Sequence, residues 1–80
     1  MEIIEFVKKF AAQFDETDEE VFTPETVYVD LEEWSSLIAL SIIAMIDEEY
    51  EVGVGAKEIT SSVTIEGLFN VVKLKKGENV

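Results

Sequence analysis

The chain has 80 residues, 18 acidic against 6 basic, a formal net charge of −12, 48% hydrophobic residues, no cysteine and no histidine. That length allows one domain, the apolar content argues against disorder despite the charge, and the missing cysteines exclude disulfides and thiolate chemistry. The charge disfavours nucleic acid and anionic lipid as partners, and it either steers the chain to a basic protein surface or serves only solubility.

Residues 2–14 place Ile3, Phe6, Val7, Phe10 and Phe14 on one face at helical spacing, with Lys8, Lys9 and Gln13 largely opposite, and so predict a first helix. Asp15 to Glu20 form a polar acidic run that breaks the pattern and reads as a solvated loop. Thr23-Pro24-Glu25 suits the start of a short helical turn, because proline fits the first helical position. Val27, Tyr28, Val29 and Leu31 read as a connection with a buried side, since a strand there has no evident pairing partner.

A second long helix is predicted over Ser36 to Tyr50, with Ser35 or Ser36 as its N-cap. Ala39, Ile42, Ile43, Ile46 and Tyr50 form its core stripe, while Ile38, Ser41, Met45 and Glu48 form a second line that points away from the first. A helix apolar on two sides is either central in its bundle or offers a surface to a partner. Gly53 and Gly55 suit the left-handed backbone that ends such a helix, and Lys57 to Ser61 fits one short helical turn. Thr64 is placed to cap a last helix, with Glu66 in its first turn and Leu68, Phe69, Val71 and Val72 on its apolar face. Gly67 lowers helix propensity there by ~1 kcal/mol, so close packing is its expected reason. The tail from Lys73 to Val80 is expected to fray.

The chemistry left out is informative. Without histidine the commonest general base is missing, and without cysteine ordinary zinc sites drop out. No glycine-rich phosphate loop and no calcium-loop pattern is present, so neither a metal nor an independent enzyme is expected. No stretch reaches the ~20 apolar residues of a membrane span. Glu2 and Glu5 stand where an export signal carries positive charge, and a cytoplasmic setting is expected. What remains is a serine at a helix N-terminus, where backbone N–H groups and the helix dipole favour an attached phosphodiester.

Trp34-Ser35-Ser36-Leu37, followed by a helix that ends Asp47-Glu48-Glu49-Tyr50, resembles the acyl carrier protein family. The segments Val29-Asp30-Leu31 and Thr64 to Val72 are similar to that family's approach loop and last helix, so the resemblance covers nearly the whole chain. It implies an all-α fold, a four-helix bundle with a short third helix, as one domain over residues 1–80. It implies that a phosphopantetheinyl transferase moves 4'-phosphopantetheine from coenzyme A to Ser36, and that the arm carries an acyl group as a thioester. The other partners it implies are acyl-loading and condensing or transferring enzymes with basic docking surfaces, served by a monomer that is not itself an enzyme, in fatty-acid, polyketide-like or related synthesis. Asp47 and Glu48 match family positions that meet basic partners, and Ile38 and Met45 would add an apolar contact patch beside Ser41. Ser35 departs from the family, which usually has Asp before the modified serine. A related carrier of aminoacyl cargo, in peptide synthesis or D-alanine transfer, fits the same pattern. The alternative of a different class is an unmodified interaction module in which Ser36 acts only as a cap.

Overall fold

The computed structural model describes residues 2–77, in which four helices run in chain order as α1 (Ile3–Ala11), α2 (Ser36–Tyr50), α3 (Ala56–Ser61) and α4 (Ile65–Lys75). α1 packs on α2 and α4, and the six-residue α3 bridges α2 and α4. The Cα radius of gyration is 11.4 Å, close to the ~12 Å of a compact chain this long. No helix of the described residues is long and apolar enough to cross a membrane.

An aromatic column sets the core at the α1 end. Phe6 and Phe10 are one helical turn apart, so their rings lie on one face of α1. The sequence places Phe14 on the same helix, but α1 stops at Ala11. Gln13 and Phe14 donate to the carbonyls of Phe10 and Ala11, three residues back, which tightens the last turn and keeps Phe14 over Phe10 at 5.7 Å. Phe22, Tyr28 and Trp34 join this cluster from the long connection to α2.

That connection holds two short 3₁₀ turns, Glu19–Val21 and Tyr28–Asp30. Thr23 to Thr26 form a hydrogen-bonded turn rather than a helical start, with Pro24 at its second position. The Thr26 hydroxyl locks it, accepting from the Thr23 amide and donating to the Val21 carbonyl, both at 2.8 Å. Val27 does find a partner, a single antiparallel bridge to Thr64. Beside it the carbonyls of Thr26 and Pro24 accept from the amides of Ile65 and Glu66, two donors that a helix start leaves unsatisfied.

α2 ends on Glu51, which takes the left-handed conformation at φ 58°. Gly53 and Gly55 therefore do not supply the left-handed residue assigned to them from sequence. Gly55 instead caps α3 in an extended conformation, and its amide donates to the Glu58 carboxylate at 2.9 Å. That bond, with Lys75 at 2.9 Å, holds the Glu58 carboxyl below its ordinary value. The tail is not frayed through residue 77. α4 continues to Lys75, Gly77 takes the positive φ of a residue just past a helix end, and the Lys76 ammonium donates to the Tyr50 carbonyl at the end of α2. Residues 78–80 of the expected tail lie outside the described residues.

Close packing accounts for Gly67. A Cβ there would lie 2.2 Å from the Ser62 carbonyl oxygen, part of the tight link that enters α4. Gly67→Ala normally gains ~1 kcal/mol in a helix interior. Here it should instead destabilise by about 1–3 kcal/mol through overpacking. Thermal unfolding followed by circular dichroism reads this as a fall of several degrees, and a rise would contradict the packing.

Candidate functional site

Two adjacent serines divide the work at the start of α2. Ser35 is the N-cap, extended at φ −158° and ψ 171°, with its hydroxyl accepting from the Ile38 amide at 3.3 Å and its carbonyl accepting from Ala39 at 3.0 Å. Ser36 is the first helical residue, not the cap, and its side chain is exposed. Among the described residues its hydroxyl makes no hydrogen bond. The first turn of α2 holds no acidic residue, so the positive end of the helix dipole at Ser36 is uncompensated.

An open cleft of about 510 Å³ starts at this serine and runs between α2 and α3. Ser36, Ala39, Leu40 and Ile43 line one wall at helical spacing, Ala56 and Thr60 line the other, and Trp34 closes the end. The lining is mostly apolar. Tyr28 sets the cleft wall from beneath. Its ring is fully buried between Phe10 and Trp34, and its hydroxyl donates to the Ile59 carbonyl of α3. Burial pushes the Tyr28 phenol up to about 12, against the opposing effect of Ser62.

The second line read from sequence divides: Ser41, Met45 and Glu48 border one groove, while Ile38 packs against the core. Ile38 and Ser41 are half-buried, Glu48 is exposed, and Met45 is buried at 7% exposure. Met45 turns inward because α1 packs against this flank of α2, a neighbour that helical periodicity does not reveal. Met45 is thus not an exposed side chain as the sequence predicts, and the large apolar side chains that α2 leaves exposed are Leu37 and Leu40, at 75% and 61%. With Ala44, Asp47 and Glu48 they form the outer stripe of α2, apolar at the Ser36 end and acidic at the other. Asp47 and Glu48 make no ion pair among the described residues, whereas Glu49 is taken by Lys9 at 3.0 Å. Ser41, Met45 and Glu48 instead line a shallow groove against Gln13 of about 290 Å³.

Sequence reasoning passed over Glu33. Its Oε2 accepts from the Asp15 amide at 2.7 Å. Its Oε1 accepts from the amides of Glu16 and Thr17 at 3.0 and 2.9 Å and from the Thr17 hydroxyl at 2.7 Å. The Thr17 hydroxyl, then the three amides, hold the Glu33 carboxyl below its ordinary value, against the opposing effect of desolvation. The stabilisation is thus present above the ordinary carboxylate range and is lost as pH falls through the lowered value. Residue type carries little signal for this site, because three of its four donors are main-chain amides and the fourth, the Thr17 hydroxyl, lies 16 positions away. Asp15, Asp18, Glu19 and Glu20 are exposed, and among the described residues no group of three or more acidic side chains could hold a metal ion.

Comparison with protein-family models, with curated proteins and with solved structures finds no match. The site must be interpreted from its own geometry. Because Ser35 carries the cap, Ser35→Ala should cost about 1 kcal/mol. Ser36→Ala should stay within about 0.5 kcal/mol of the parent. Urea unfolding of both variants checks this, and the reverse order would move the cap to Ser36.

Proposed function

We propose that the protein is an acyl carrier whose Ser36 hydroxyl bears a 4'-phosphopantetheine arm. The observation that carries this reading is the exposed hydroxyl of Ser36, free of capping duty at the positive end of α2, at the mouth of an apolar cleft. The transfer is balanced without catalytic help from this chain. The Ser36 oxygen bonds the phosphorus that bears pantetheine in coenzyme A, the adenosine bisphosphate leaves, and the hydroxyl proton passes to the transferase. The resulting phosphodiester lies against the N-terminus of α2, where a negative charge is favoured.

The arm's thiol would hold an acyl group as a thioester, and the cleft between α2 and α3 would shelter part of it. The outer stripe of α2 suits enzymes that present an apolar surface near the arm and basic side chains toward Asp47 and Glu48. Loading and condensing or transferring enzymes of fatty-acid or polyketide-like synthesis need such a shuttle, as do peptidyl and D-alanyl transfer systems. The absence of cysteine accords with a reducing, cytoplasmic setting for a carrier acting as a monomer.

The second reading is an unmodified interaction module that uses the same stripe. Ser35 favours it, because a neutral cap replaces the carboxylate usual before a modified serine. Incubation with coenzyme A and a broad-specificity phosphopantetheinyl transferase, followed by intact mass, separates the two. The carrier reading requires a gain of one phosphopantetheine that is kept in Ser35→Ala and lost in Ser36→Ala. No gain on folded protein with several transferases would leave the interaction module.

A further inference from the structure

We infer that Glu33 is a positioning residue for Ser36, acting by tying the turn before α2 to the loop that follows α1. This rests on the carrier reading.

Three successive main-chain amides, of Asp15, Glu16 and Thr17, converge on one carboxylate, and a hydroxyl joins them. Such a nest of N–H groups is an anion-binding concavity, and the chain fills it with its own side chain. The bonds span 16 to 18 residues of sequence, so they close most of the α1–α2 connection into a fixed loop. They also hold against local repulsion. Asp15 and Glu16 supply two of the amides while carrying negative side chains, Glu32 precedes Glu33, and no lysine pairs with Glu33 among the described residues.

The placement gives this its functional sense. Each residue that leads into the modification point has a separate anchor. Glu33 is held by the nest, and Trp34 is held by Phe14 and Tyr28 at ring distances of 6.4 and 5.1 Å. The Trp34 amide donates to the Leu31 carbonyl, and Ser35 caps the helix. Ser36 alone is left unanchored by side-chain bonds, so its oxygen is offered from a backbone fixed on its N-terminal side. Release of Glu33 would free the loop while leaving the buried core untouched, since every residue of the nest is exposed or half-buried.

Amide hydrogen exchange on the unmodified protein and steady-state modification kinetics test this together, with Glu33→Ala, Glu33→Gln and the exposed neighbour Glu32→Ala. In Glu33→Ala the amides of Trp34 and Ile38, bonded in the parent to the Leu31 carbonyl and the Ser35 hydroxyl, should exchange at least tenfold faster, and kcat for modification of Ser36 should fall at least tenfold. Glu33→Gln, which keeps one acceptor oxygen, should lie between, and Glu32→Ala should match the parent. A merely structural loss would lower the folded fraction and so raise apparent KM with kcat unchanged. That result, or parental exchange at Trp34 and Ile38 in Glu33→Ala, would overturn the proposal. If the parent itself takes no arm from any transferase, the carrier reading fails separately, and the exchange comparison still decides whether Glu33 fixes the Ser36 turn.

Discussion

Tyr28 is the side chain on which the arrangement of the site depends. It lies on a one-turn 3₁₀ segment of the long connection, yet it reaches three places at once. Its ring packs on Phe10 of α1 and on Trp34, one residue before the cap of α2, and its hydroxyl bonds a carbonyl of α3. A six-residue helix has little stability of its own, because nucleation consumes most of what so few hydrogen bonds return. α3 must therefore be held by tertiary contacts, and Tyr28 with Ile59 and the Lys75–Glu58 pair provides them. The position of α3 defines the second wall of the cleft beside Ser36, so the aromatic column and the cleft form one mechanical unit.

The same economy governs the start of α2. A helix N-terminus offers unsatisfied amides and a positive partial charge. One serine uses the amides to cap the helix, which leaves the next serine exposed in that field. Asp47, Glu48 and Glu51 lie at the far end of α2, and the nearest preceding carboxylate, Glu33, is occupied by the nest. The outer face of α2 thus grades from apolar to acidic over its 15 residues.

Much of this was legible in the residues. The bounds of α2, the cap on Thr64 and the tight packing at Gly67 follow from local propensities that the tertiary structure leaves unopposed. Other features turn on neighbours. Met45 could have faced a partner or the core, and only the course of α1 decides it. Val27 pairs with Thr64 across 37 positions of sequence, and no short-range pattern encodes such a bridge. Glu51, rather than a nearby glycine, takes the left-handed conformation that ends α2. The serine and its helix were thus readable, whereas the Glu33 nest and the exact outer stripe were not, since they are built from main-chain donors and from packing.

The most direct measurement is the amide chemical-shift map of the protein before and after the arm is attached and acylated. Attachment should shift the amides around Ser36, and acylation should extend the changes to Ala39, Leu40, Ile43, Ala56 and Thr60 while the rest of the fold is unmoved. Changes centred instead on the Gln13–Glu48 groove, or the absence of any convertible serine, would contradict this.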